Sequence, residues 1–246
     1  MSDGTPSRMP GRSRIVMARS DATEIDGVQG HVLVPTPDQG AWPPFVRFAE
    51  SEGAAGLRPA DPHPHRAEEV LAYVVDGRLV NVDASGRSIE MPGGSGLLLT
   101  ASPESRHDVG PASGARARWI SVVAHLSERD RPGAPSYHPI DAPAARPVGT
   151  GVERRELVGP HGPARSAGGL EVAEYLLAPQ SAVEIPLDVD RRSIAYVFEG
   201  QGRIQDREVP THSAALSEHI ERLMVEGPNG LRLFLASIPI PSYAAD

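Results

Sequence analysis

The sequence predicts an all-β chain built from two antiparallel barrels, and three observations carry that reading. Glycine and proline number 25 each among 246 residues, a density that breaks a chain into short strands and turns rather than long helices. Short runs rich in Val, Ile, Leu and Tyr recur in both halves, each bounded by Gly, Pro, Asp or Ser. The stretch LAYVVDGRL at 71–79 returns as IAYVFEGQG at 194–202, a loose internal repeat in which A-Y-V is followed by an apolar residue, an acid and Gly.

Taken in order, residues 1–24 form a leader. Its opening, MSDGTPSRMPGRSR, carries arginines with no apolar segment behind them, so it reads as disordered and solvated rather than as a signal peptide. Strand signals begin with RIVMARS, HVLVP and PFVRFAE. They continue through VLAYVVDG, GRLVNVDASGRSIEM, GLLLTA and RARWISVVAHL, which defines a first barrel over 25–126. Residues 127–149 are loaded with Pro, Ala and Arg and show neither strand nor helix period, the composition of a linker. The pattern then restarts with VERRELVG, LEVAEYLLAP, AVEIPL, SIAYVFEGQGRIQ, HSAALSE, ERLMVEG and LRLFLASIPI, a second barrel over 150–246. Helix is expected only as short turns near 215–223.

Composition excludes several chemistries. The chain has no Cys, hence no disulfide, thiolate ligand or Cys nucleophile. All 24 basic residues are Arg, so lysine Schiff bases and lysine general bases are excluded. A net charge of −8 argues against direct contact with nucleic acid and leaves contact with another protein open. No stretch is long and apolar enough to span a bilayer, and the expected location is the cytoplasm.

The stretch DPHPHRAEEVLAYVVDG (61–77) holds the main chemical signal. On a strand, alternate residues share a face, so His63 and His65 can aim at one point while Pro64 faces away. Glu69 can join them from the same strand. His107 follows a later strand with Asp108 beside it. Imidazoles suit Fe, Zn, Cu and Ni, and a carboxylate completes many such sites. The alternative is two surface histidines in a Pro-rich turn. The remaining histidines, His31, His125, His138, His161, His212 and His219, are scattered and read as surface or hydrogen-bonded core residues.

These stretches resemble the pirin family of the cupin superfamily. PFVRFAE (44–50) is similar to the family's P-F-L-x-L-D-E, and HPHRAEEVLAYVVDG (63–77) to H-P-H-R-G-F-E-T-V-T-Y-V-L-E-G without a gap. PGGSGLLLTASPESRHDV (92–109) has the length of P-G-D-V-Q-W-M-T-A-G-x-G-I-x-H-S-E. SYHPI, LVGPHGPARS and AYVFEGQG extend the likeness into the second half. The resemblance implies a bicupin, with one metal ion, Fe(II) foremost and Ni, Zn, Cu or Mn as alternatives, in the first barrel. It maps the ligands onto His63, His65 and His107, with Val109 where the family has a glutamate. The fourth ligand then falls to Glu69, to Asp108 if the turn is bulged, or to nothing. Loss of a ligand that fixes the ion also leaves room for an unmetallated site. The second barrel has no H-x-H and reads as structural.

The function implied is a metal-dependent enzyme on an enolisable or phenolic small molecule. Its reaction would be an oxygenation like that of quercetin 2,3-dioxygenase, or a divergent isomerisation or cyclisation. Glu69 would be base or ligand, and Arg66 would orient an anionic substrate or pair with Glu68. The alternative is a non-enzymatic regulatory or binding protein.

Overall fold

The structure is a computed structural model that describes residues 13–25, 28–35, 41–54, 63–103 and 105–240. The strands of the first half are β1 (Arg14–Arg19), β2 (Thr23–Ile25), β3 (Val28–Val34), β4 (Phe45–Ala54), β5 (His63–His65), β6 (Glu68–Asp83), β7 (Ser88–Pro92), β8 (Gly96–Thr100), β9 (Ser105–Pro111), β10 (Arg116–His125) and β11 (Ser136–Ile140). Those of the second are β12 (Arg146–Gly149), β13 (Val152–Val158), β14 (Glu171–Leu177), β15 (Ser181–Pro186), β16 (Arg191–Gly200), β17 (Gly202–Ile204), β18 (Arg207–Val209), β19 (Ser213–Glu218), β20 (Arg222–Gly227) and β21 (Leu231–Pro239). Among the described residues the helical structure is one 3₁₀ turn, Glu128–Asp130, and no helix is long and apolar enough to cross a membrane.

The first barrel has two layers. One runs β11-β8-β6-β10-β4-β3-β2, and the other joins β5, β9 and β7 to the far half of β6. The long β6 belongs to both, pairing with β8 through Glu69–Tyr73 and with β9 through Leu79–Asp83. It crosses from one layer to the other at Gly77, where φ is +80° and an added Cβ would lie 1.9 Å from the Arg116 carbonyl oxygen; glycine alone fits there. The second barrel stacks β1-β19-β16-β21-β14-β13-β12 on β15-β20-β17-β18.

Three layers of core follow from this arrangement. Val74, Leu79, Met91, Leu97 and Trp119 fill the first barrel, while Ile185, Ala195, Val197, Leu223 and Val225 fill the second. Between the barrels, Phe48, Leu71, Tyr73 and Ile120 pack on Ile194, Tyr196, Phe198 and Phe234. Strands such as Val70–Val75 are therefore buried on both faces, which is why they read as continuous apolar runs instead of alternating ones.

The seam between the barrels has a pseudo-twofold polar interlock. Tyr73 of the first repeat donates its hydroxyl to Glu174 of the second barrel at 2.9 Å. Tyr196, its counterpart, donates to Glu50 of the first. Each carboxylate also takes an arginine from an equivalent strand position: Arg118 on Glu50 and Arg232 on Glu174. Burial and the adjoining carboxylate raise both phenol pKa values, so both tyrosines stay protonated donors.

The RIVMARS strand signal inside the leader is β1, which pairs with β19 in the sheet of the second barrel, and β2 pairs with β3 in the first. Residues 1–12 lie outside the described residues. The linker, too, contains edge strands, with β11 on β8 and β12 on β13; its prolines are tolerated because an edge strand needs only one row of hydrogen bonds. The segment 215–223 holds no helical turn: β19 runs to Glu218 and β20 begins at Arg222, with a bend between them. Ala214, Ala215 and Leu216 lie buried between β1 and β16, and sheet packing overrides the helix propensity of alanine.

Candidate metal centre

Three imidazoles meet on one face of the second layer of the first barrel. β5 carries His63 and His65, and β9 pairs with it so that His107 lies directly opposite His63. The ring centroids form a nearly equilateral triangle, with sides of 4.8, 5.0 and 4.9 Å. One ligand nitrogen from each ring lies within 4.8 Å of the others. Points no further apart than 4.8 Å share a centre within 4.8/√3, about 2.8 Å, of each; shifts of under about 1 Å bring that to a metal–nitrogen bond.

The rings are held by the atoms behind them. The δ nitrogen of His65 lies 2.8 Å from the Glu68 carboxylate. That of His107 lies 2.7 Å from Oδ1 of Asn81, which is fully buried. Carboxylate and amide oxygens accept, so both δ nitrogens donate and both ε nitrogens keep their lone pairs. The ε nitrogen of His65 is buried without a hydrogen-bond partner, an arrangement that costs stability unless something occupies the lone pair. Burial, then the neighbouring His65 and His63, pushes the His107 pKa down to about 3. The ring is uncharged at neutral pH, the state a ligand needs. This donor set suits a single late first-row cation.

The other expected residues fall elsewhere. Glu69 is not a fourth member of the group. It is fully buried and faces the second barrel: Thr100 of β8 donates to its carboxylate from the first barrel, and Ser166 and the backbone N–H groups of Ala167 and Gly168 donate from the second. The cause is Ala67, whose φ of +54° interrupts strand alternation between His65 and Glu69. Glu68 thereby turns back to His65, and Glu69 turns away. Asp108 alternates to the face opposite His107, and Val109 packs against the apolar core of the first barrel. Arg66 is exposed, and the expected Arg66–Glu68 pair gives way to Glu68–His65. Glu68 and Asn81 are the residues that sequence reasoning missed. A buried Asn in the middle of a strand is a signal, since Asn is depleted there without a polar partner; Glu68 had no such mark.

No family model matches the chain. A pirin-like protein of Caulobacter vibrioides is 27% identical over 255 residues, covering 94% of this chain and 89% of that protein. A pirin-like protein of Arabidopsis thaliana is 26% identical over 182 residues, 68% of this chain, and the match spans only 58% of the plant protein. Among solved structures, quercetin 2,3-dioxygenase from Acinetobacter baumannii superposes with a TM-score of 0.79 at 15% identity, over 95% of this chain and 91% of that one. The bacterial pirin YhhW from Escherichia coli, in complex with nickel(II), superposes with a TM-score of 0.76 at 16% identity, over 93% and 100%. The fold is a bicupin.

Proposed function

We propose that this chain, similar to pirin-like proteins over most of its length, is a pirin of the cupin superfamily whose first barrel is a mononuclear metal centre acting on a small enolisable or phenolic molecule. The observation that carries this reading is the orphaned ε nitrogen of His65, buried beside two further imidazoles whose ligand atoms lie within reach of one ion. His63, His65 and His107 would hold that ion. When bound it supplies Lewis-acid polarisation of a substrate oxygen, which makes the attached proton easier to remove.

The chain's own residues do the rest. Glu68 and Asn81 hold two of the rings in one tautomer, and burial keeps His107 uncharged. Val109 presents an apolar side chain where a fourth protein ligand would make the site closed, which leaves coordination space for solvent or substrate. Fe(II) is the ion the family favours; nickel, zinc and copper suit imidazole equally, and manganese suits it least. The nickel-bound relative and the relative named quercetin 2,3-dioxygenase support metal-dependent oxygenation of an enol, with isomerisation or cyclisation as the oxygen-free variant. The acidic chain, without cysteine, fits a cytoplasmic protein whose partner is a small molecule and not nucleic acid or membrane.

A purely regulatory role has less support. Among the described residues the large apolar side chains left exposed are Val148, Val189 and Met224, few for a surface that docks a protein. The test is anaerobic reconstitution of chelator-treated protein with Fe(II), Ni(II) or Zn(II), followed by a flavonol and enol turnover screen. Metal-dependent turnover that His65→Ala abolishes is expected. Stoichiometric metal binding with no turnover of any enolisable substrate would favour the regulatory reading.

A further inference from the structure

The second barrel repeats the strand pairing of the first, so each residue of the metal centre has a counterpart. Gly77 and Gly200 end the two A-Y-V repeats, and Asn81 and Ile204 stand at the same distance beyond them. Asn81 pairs with Val109, and Ile204 pairs with Val225. Two residues earlier, on the same face, stand His107 and Leu223. His63 lies opposite His107, and Ile185 lies opposite Leu223. His65 then corresponds to Leu187, whose N–H continues that register to the Glu221 carbonyl. The triad His63, His65 and His107 thus reappears as Ile185, Leu187 and Leu223. Glu68, which begins β6 ahead of Tyr73, reappears as Arg191, which begins β16 at the same distance ahead of Tyr196.

A barrel that had replaced its site by core alone would be closed at this place. Instead a cleft of about 620 Å³ opens there, lined by Ile185, Leu187 and Arg191, and by Arg154, Tyr175 and Leu235 among others. That volume is in the range of small-molecule sites. Tyr175, Ile185 and Leu235 belong to the core of the second barrel, and Val183 and Leu187 pack on that core while keeping part of their surface exposed. An apolar floor reached from solvent favours an apolar occupant.

The rim defines the rest of the occupant. Arg191 donates to Ser237 and to the Gly169 carbonyl, with Glu171 3.6 Å away and Asp188 beside it. Glu184 faces Arg222 at 3.4 Å. Arg154 donates to Glu156 at 2.8 Å. Every charge on the rim has a partner of opposite sign, so the cleft favours neither an anion nor a cation. One donor is left over. The Nε of Arg154 is buried without a hydrogen-bond partner, and its guanidinium lies over the Tyr175 ring, 5.9 Å from the centroid. A buried donor without an acceptor costs stability, and an acceptor oxygen in the cleft would remove that cost.

We propose that this cleft is a second ligand site, for an uncharged, mainly apolar molecule bearing a carbonyl group. The carbonyl oxygen accepts from the Arg154 Nε, and the apolar body lies against Tyr175, Leu187 and Leu235. The site is the second barrel's counterpart of the three-histidine centre, with the metal ligands exchanged for aliphatic side chains. It needs no metal and does not depend on the chemistry of the first barrel.

The test is titration of the full chain, carrying isotope-labelled methyl groups, followed by NMR in a chelator-treated and a Zn(II)-treated preparation. The probes are acetophenone, ethylbenzene, which has nearly the same shape without the oxygen, and benzoate, which has it with a charge. Acetophenone should shift the Ile185 and Leu187 methyl signals saturably and equally in both preparations. It should bind at least about tenfold more tightly than ethylbenzene, as a hydrogen bond from a charged donor requires, and more tightly than benzoate. Arg154→Met should bring acetophenone down to the level of ethylbenzene. Leu187→Trp should fill the cleft and remove both; it alters a partly exposed side chain, so it keeps the test open if Arg154→Met does not fold. No saturable shift at Ile185 and Leu187 with millimolar acetophenone overturns the proposal. So does a preference for benzoate, binding that Zn(II) changes, a preference for the ketone that Arg154→Met retains, or binding that survives Leu187→Trp.

Discussion

Replacing Glu68 by Gln and Asn81 by Leu should weaken metal binding without touching a ligand. Glu68 meets the His65 δ nitrogen at 2.8 Å, with side-chain exposures of 10% for His65 and 16% for Glu68. Gln keeps an acceptor there but removes the charge that makes the imidazole a stronger donor. The expected loss is about tenfold, the low end for residues behind metal ligands, or about 1.4 kcal/mol. Asn81 is fully buried and its contact to His107 is 2.7 Å. Leu is similar in volume but accepts nothing, so the His107 N–H is stranded and the ring is free to turn. That loss should approach 100-fold, the high end of the same range. The double variant should lose less than the product of the two, because both act on one ion. Competition with a chromophoric chelator under anaerobic conditions, for Zn(II) and Fe(II) separately, gives the affinities. If both single variants bind within about twofold of wild type, the hydrogen bonds behind the rings do not orient them and the tautomer argument fails.

Four further outcomes follow from the same structure. Ala67→Gly should raise stability by about 0.5–1 kcal/mol in urea unfolding, since relief of a left-handed alanine exceeds the added flexibility of the unfolded chain; a loss of stability would refute the strain. Tyr73→Phe should cost about 2 kcal/mol, because Glu174 is fully buried and a bond to a charged acceptor is lost; a change under about 0.5 kcal/mol would mean that Arg155 and Arg232 suffice. Glu156 has a lowered pKa: burial opposes ionisation, but the His161 N–H and Arg154 outweigh it. Its stabilisation is therefore complete above the unfolded value and disappears as pH falls below about 4.5 through the folded one, and Glu156→Gln should flatten that acid limb of stability against pH. Val109→Glu should tighten metal binding by at least about tenfold by adding an anionic ligand; equal affinities would mean that position 109 cannot reach the ion.

The two-barrel architecture was legible because strand boundaries are written locally, in Gly and Pro, and because the A-Y-V repeat marks one unit twice. The histidine triad was legible for a related reason: H-P-H needs only strand alternation to converge, and His107 needs only a neighbouring strand. Glu69 was misplaced by the same rule. Alternation carries 65 to 69 only if the chain between them stays extended, and the left-handed Ala67 reverses the faces. Long-range choices were not legible at all. Nothing in RIVMARS says that it pairs with 213–218 across the whole chain, and nothing in HSAALSE, although it reads as a strand, names β1 and β16 as its neighbours. His31 and His212 looked scattered because the seam that stacks them is tertiary.

The most direct test of the central claim is X-ray absorption of the reconstituted protein. One ion per chain, bound by three imidazole nitrogens at about 2.0–2.2 Å with light-atom solvent and no protein carboxylate completing the shell, is the predicted result. A shell containing fewer than three imidazoles, or no ion retained by wild-type protein under conditions where Val109→Glu binds one, would contradict it.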